Sequence, residues 1–237
     1  MELKIYSDKQ EVASEFSNFF AEKVKESDSF HVALSGGSTP KIVFDVLANE
    51  FGSDLDWNKV HFYWGDERCV PPTDDESNYK MTVEHLLSKI EIPEENIHRI
   101  KGENEPKGEA VRYSEVIEQY LSESNGIPTF DLVILGMGDD GHTASIFPHE
   151  IDLWHSEKTC EVAVHPDSGQ RRITITGKII NAAATVAFLV TGEGKAEKVG
   201  EIVRRTGSFK DYPATLVAPK SNNLYWFLDD AAAANLN

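Results

Sequence analysis

Cysteine is almost missing from these 237 residues: Cys69 and Cys160 are the only two, and they form no CxxC pair. That excludes a disulfide-stapled secreted scaffold and a thiolate metal knot, and predicts two ordinary reduced thiols. Long apolar runs are missing as well, since nothing approaches the about 18 consecutive apolar residues that span a bilayer. The opening segment MELKIYSDKQ lacks the apolar stretch of a signal peptide, so a cytoplasmic location is expected. Basic residues are few. Lys and Arg number 23 against 40 Asp and Glu, a formal net charge of −17, which repels nucleic-acid backbones and anionic membrane surfaces at long range. Neither is expected as a partner, and the sequence leaves the oligomeric state open. A small anion can still bind, provided that a few cations converge on one pocket. No repeat, low-complexity tract or linker divides the chain, so one globular domain over 1–237 is expected.

What is present is an alternation of apolar runs with amphipathic stretches, the pattern of parallel strands joined by helices. Strands are expected at 3–6, 30–34, 60–64, 130–135, 172–176, 185–190 and 224–228, all completing one sheet. Helices are expected at 11–25, 40–48, 78–89, 108–122 and 194–205. In the first of these Val12, Phe16, Phe19, Phe20 and Val24 fall at helical spacing and predict one buried face. Segments 101–109 and 149–170 mix charge, Gly and Pro without a period and are expected as surface loops. The fold class is therefore α/β, with a mostly parallel, Rossmann-like sheet flanked by helices. Such sheets bind ligands beyond the carboxyl ends of their strands, near a reversal of strand order. Chemistry is expected just after the apolar runs.

Four segments meet that expectation. In ALSGGSTPK, Ser35, Gly36, Gly37, Ser38 and Thr39 end a strand before Pro40 opens a helix; Thr39 suits the N-cap. Glycines let backbone amides approach an anion at a helix N-terminus, so phosphate fits here, as does a plain strand-to-helix turn. A nucleophile elbow at Ser35 fits poorly, because it follows only the second apolar run. In VHFYWGDERCV, Arg68 stands beside Asp66 and Glu67 at a strand end, either as a clamp for an anion or as part of a charged turn. Asn78 is equally a cap or a ligand contact.

In FDLVILGMGDDGHTASIFP the run from Gly136 to Gly141 fits GxGxxG literally. Two acids facing a pyrophosphate and the early Pro148 argue against a dinucleotide site. A glycine loop presenting His142 beside Asp140 suits a general base instead. Arg172 and Lys195 are the remaining candidates, and spacing alone leaves both as solvated surface charges. The other histidines (His31, His61, His85, His98, His149, His155 and His165) show no metal-ligand spacing, so no metal site and no cofactor is expected.

Taken together, SGGSTP at 35–40, DER at 66–68, SNY at 77–79, GMGDDGHTASIFP at 136–148, RIT at 172–174 and Gly-Lys at 194–195 resemble the 6-phosphogluconolactonase family, related to glucosamine-6-phosphate deaminases, over essentially the whole chain. The resemblance implies hydrolysis of 6-phospho-D-glucono-1,5-lactone to 6-phosphogluconate, a step of the oxidative pentose phosphate pathway, without a cofactor. It implies phosphate binding by Gly36, Gly37, Ser38 and Thr39. It also implies that Arg68, Arg172 and Lys195 hold phosphate or sugar-acid oxygens, that His142 is the general base, and that Asp140 accompanies it. Asp139 departs from the motif, which is often uncharged there. The deaminase relatives differ in reading DEY for DER and in carrying a glutamate in GHIAFNEP that this chain lacks. They remain the rival enzyme reading, beside a sugar-phosphate-binding protein without turnover.

Overall fold

The computed structural model describes residues 1–236. The chain opens with β1 (Glu2–Tyr6), α1 (Lys9–Glu26), β2 (Phe30–Leu34) and α2 (Ser38–Phe51), followed by β3 (Val60–Trp64), β4 (Asp66–Arg68) and α3 (Asn78–His85). Its middle holds α4 (Pro106–Tyr120), the hairpin strands β5 (Glu123–Ser124) and β6 (Ile127–Pro128), and β7 (Leu132–Leu135). It closes with β8 (Cys160–Val164), β9 (Arg171–Ile175), α5 (Gly177–Ala182), β10 (Val186–Val190), α6 (Ala196–Arg204) and β11 (Leu224–Asp229).

Six strands form a sheet in the order β1-β11-β10-β7-β2-β3, and every pair in it is parallel. Both faces of its inner strands are covered, which is why VAFLV and LVIL are continuous apolar runs without alternation. α1 is capped by Asp8, whose carboxylate accepts the N–H groups of Gln10 and Glu11, and it buries Val12, Phe16, Phe20 and Val24 as its periodicity predicts, while Phe19 at the edge of that face is only half-buried. Phe16, Phe20, Phe30, Phe44, Trp64, Phe188 and Trp226 are all less than 2 % exposed. Each such side chain contributes about 1.5–3 kcal/mol by leaving water. Strand order reverses between β2 and β7, so the ends of these neighbours define the switch point of the sheet.

Segment 172–176 does not join this sheet. β9 lies between β4 and β8 in a separate three-stranded antiparallel sheet. The crossing is made at Gly65, whose N–H donates to Leu34 O at 2.8 Å while its carbonyl accepts from Ile175 N at 2.9 Å. The end of β3 is fixed by Tyr113, whose hydroxyl accepts from Trp64 N and donates to Trp64 O. The expected loop at 149–170 therefore contains a strand, β8, because antiparallel pairing with β9 supplies order that its own short pattern does not announce. The expected loop at 101–109 likewise gives way at Pro106 to α4, where the Glu105 carboxylate caps Gly108 N. Helix 78–89 stops at His85 and continues as a 3-10 turn, and 194–205 begins as a 3-10 turn before α6. No helix among the described residues is long and apolar enough to cross a membrane.

Candidate active site

A cleft of about 190 Å³ lies at the switch point. β2 delivers Ser35, Gly36 and Gly37 to it, β7 delivers the loop with Gly138 and His142, and the smaller sheet brings Arg68 and Arg172 across the top. β4 and β9 are paired so that Arg68 and Arg172 stand directly opposite each other. Residues opposite in an antiparallel pair share a face, and like charges there are unfavourable. Neither guanidinium makes an ion pair among the described residues, and the Nε of each is buried without a hydrogen-bond partner. Arg68 is anchored instead through Nη1, which donates to Glu76 O at 2.5 Å. Burial weakens the hold of Arg172 on its proton, Asp66 supports that hold, and the charge of Arg68 weakens it further. Two arginines with free N–H groups at one cleft are a ready receptor for an oxyanion.

His142 sits at the other wall. Its Nδ1 is 2.6 Å from Asp140 Oδ1, which also accepts the backbone N–H of His142 at 3.0 Å. Burial alone would raise the pKa of Asp140, but the His142 ring, its charge and its backbone N–H outweigh this and pull it down to about 2. An ionised carboxylate can only accept, so Nδ1 carries the proton and Nε2 keeps its lone pair when the ring is neutral. The loop folds back tightly: Gly138 N–H donates to His142 O at 2.9 Å. A Cβ on Gly138 would stand 2.1 Å from the imidazole, so only glycine lets the ring rest there.

The glycine loop after β2 departs from expectation in its capping. α2 starts at Ser38, and its N-cap is Gly37 at φ 115°, with no side-chain cap; glycine reaches that conformation without strain. Thr39 is inside the helix, is 6 % exposed, and shares a 2.8 Å hydrogen bond with Thr191. It ties α2 to the end of β10 and does not line the cleft. Ser38 faces an adjoining depression that shares Gly37, Arg68 and Asn78 with the cleft. Lys195 is also outside, with its Nζ held by Asp139 Oδ1 at 2.5 Å. The structure thus gathers Gly36, Gly37, Arg68, His142 and Arg172 at one cleft, places Asp140 behind His142, and leaves Ser38, Thr39 and Lys195 at or beyond its edge.

Three supporting groups have roles that sequence reasoning did not assign. Glu67 is 2 % exposed and accepts from the backbone N–H of Arg68, Asn78 and Tyr79 and from Ser77 Oγ. Burial raises its pKa against the pull of those donors. This carboxylate fastens the start of α3 to β4 and so fixes the backbone of Arg68. Asp66 accepts from Ser145 Oγ at 2.6 Å, joining β4 to the loop after β7. Asn78 spans to Asp66 O from beneath Gly36, so it is a brace, while the helix cap is Ser77. A charged tripeptide gives no sign of which acid points inward; the SNY that follows it was the available clue.

This geometry defines an α/β protein with an arginine-lined cleft and a carboxylate-oriented histidine at a parallel-sheet switch point. The family model for glucosamine-6-phosphate isomerases/6-phosphogluconolactonase matches residues 7–226, and the chain belongs to that family. Among relatives, it is 44% identical over 202 residues to the 6-phosphogluconolactonase of Treponema pallidum, covering 85% of this chain and 84% of that protein. It is 46% identical over 203 residues to that of Haemophilus influenzae, covering 85% of each. Among solved structures, the devB protein superposes with a TM-score of 0.95 at 42% identity over 100% of this chain and 99% of that one. The 6-phosphogluconolactonase of Trypanosoma brucei gives 0.88 at 28% identity over 100% and 98%. A monomeric glucosamine-6-phosphate deaminase shares the fold, with a TM-score of 0.83 at 18% identity over 99% of this chain and 100% of that one.

Proposed function

We propose that this chain hydrolyses 6-phosphogluconolactone to 6-phosphogluconate, with His142 as general base. The observation that carries the reading is the pairing of His142 Nδ1 with Asp140 at 2.6 Å across a cleft from two arginines whose Nε groups have no partner. Family membership supports the substrate class, and the named lactonase relatives support the reaction.

Held through Nδ1, His142 offers Nε2 to a water molecule. The imidazole takes a proton as the water oxygen bonds to the lactone carbonyl carbon, and negative charge develops on the carbonyl oxygen. Arg68 is the catalytic cation that steadies this charge, and Arg172 with the amides of Gly36 and Gly37 binds the substrate's anionic end. When the tetrahedral intermediate collapses, the bond from carbon to ring oxygen breaks and the imidazolium returns its proton to that oxygen. The products are a carboxyl group, which ionises, and a free hydroxyl. Ser38, which lines the adjoining depression, contributes at the rim. Lys195 joins only by exchanging Asp139 for the substrate's phosphate.

The test is a set of three measurements on the purified protein. Hydrolysis of 6-phosphogluconolactone should exceed the spontaneous rate, no ammonia should be released from glucosamine 6-phosphate, and exhaustive chelation should leave the rate intact. Ammonia release without lactonase activity would move the chain to the deaminase branch. Saturable sugar-phosphate binding without either activity would make it a binding protein.

A further inference from the structure

Four buried side-chain polar atoms lack a hydrogen-bond partner among the described residues: Nε of Arg68 and Arg172, Oγ1 of Thr215 and Nε1 of Trp226. The first two belong to the cleft described above. Thr215 and Trp226 both line a different cavity, of about 760 Å³, walled by the end of α6, segment 209–220 and the start of β11. It is four times the size of the cleft at the switch point and falls in the range of small-molecule sites.

Its lining combines two chemistries. Ile202, Val217 and Leu224 give apolar walls, and the indole of Trp226 is stacked on Phe188 at 4.1 Å and so held flat. Arg205, Lys210 and Lys220 supply positive charge. None of the three forms an ion pair among the described residues. In a chain of net charge −17, carboxylates are abundant, and three cations around one cavity without one are conspicuous. An indole N–H can only donate, and left buried and unpaired it is costly.

We propose that this cavity is a second ligand site, for a small organic anion with a flat apolar body. The apolar part stacks within the walls, an acceptor on the ligand receives the Trp226 N–H and the Thr215 hydroxyl, and the acidic group meets Arg205, Lys210 and Lys220. The site is distinct from the cleft, yet its wall reaches it: Ala214 N–H donates to the carbonyl of Gly141, adjacent to His142, at 3.1 Å.

The probe is 1-anilinonaphthalene-8-sulfonate, titrated into the 15N-labelled full chain. Four tryptophans give four indole N–H signals, and that of Trp226 is assigned with Trp226→Phe or, should that variant not fold, by replacing Trp57, Trp64 and Trp154 in turn. Saturable one-to-one binding that moves the Trp226 signal is expected. The double variant Lys210→Ala/Lys220→Ala should weaken it about tenfold or more, with unchanged thermal stability and lactonase rate. An unmoved Trp226 signal, binding that does not saturate, or an undiminished affinity in the folded double variant would overturn the site. So would a concentration-dependent dimer that excludes the probe and is dissociated by Lys210→Glu, because the cavity would then cover a second copy of this chain.

Discussion

At the scale of single residues, the decisive contact is the one between His142 and Asp140. Replacing His142 with Ala should lower kcat by about 10²–10⁴-fold, as loss of a positioned base does, while circular dichroism and melting stay near wild type. A folded variant that kept most of its rate would remove His142 from the chemistry. With its pKa pulled down to about 2, Asp140 is ionised near neutral pH and accepts from the ring Nδ1 there. The cations separate by geometry. Arg172 lines the cleft and Lys195 is occupied by Asp139, so Arg172→Ala should raise KM by the about 1.5–3 kcal/mol of a charged contact. Lys195→Ala should raise it by less, since binding through Lys195 first costs its present partner. Equal changes in KM for the two variants would show that the Asp139 pair opens freely.

At the scale of elements, β2 and β3 carry a second arrangement at the end of the sheet away from the cleft. His31 and His61 are register partners with rings stacked at 4.4 Å, and His98 stacks on Tyr63 and reaches His61. Burial, together with the neighbouring charge of His61, lowers the pKa of His31 and of His98 to about 4. Unfolded histidine titrates near about 6.5, so between these values the unfolded chain binds more protons than the folded one. The stack's contribution is complete above that upper value and is lost as pH falls through the window toward 4. The melting temperature should drop between pH 7 and pH 5, and His31→Asn/His98→Asn should flatten that dependence. A wild-type melting temperature equal at both pH values would contradict it. The raised pKa values of Glu67 and Asp131 act with the opposite sign, which is why the variant comparison is needed.

At the scale of the whole molecule, the anion-receiving cleft should report its ligand through stability. Inorganic phosphate, as a fragment of the proposed substrate, should bind the folded form and raise the melting temperature by a few degrees near saturation. Arg172→Leu should abolish most of that shift, and an identical shift in the variant would place the phosphate elsewhere. The sequence disclosed the six-stranded sheet because buried parallel strands such as VAFLV and LVIL are apolar from end to end. It disclosed the loops of Gly36 and His142 because glycines directly follow such strands. The smaller sheet was hidden: Asp66–Arg68 has neither length nor alternation, and its partner, β9, lies more than a hundred residues away. The same long-range pairing decided which cations share the cleft. Composition sets a need for convergence, but only the β4–β9 register brings Arg68 to Arg172, and only a side-chain contact sends Lys195 to Asp139.

That register has an implication for anyone selecting variants of this protein. Two arginines set opposite each other in the register, neither in an ion pair among the described residues, are a local flaw in a resting fold, which the proposed reaction would account for. A library screened for heat resistance alone should enrich neutral, similarly shaped residues such as Leu or Met at position 68 or 172, and its survivors would be sturdier and inert. Selection in the presence of phosphate would reverse the preference, because the anion turns the flaw into a bond.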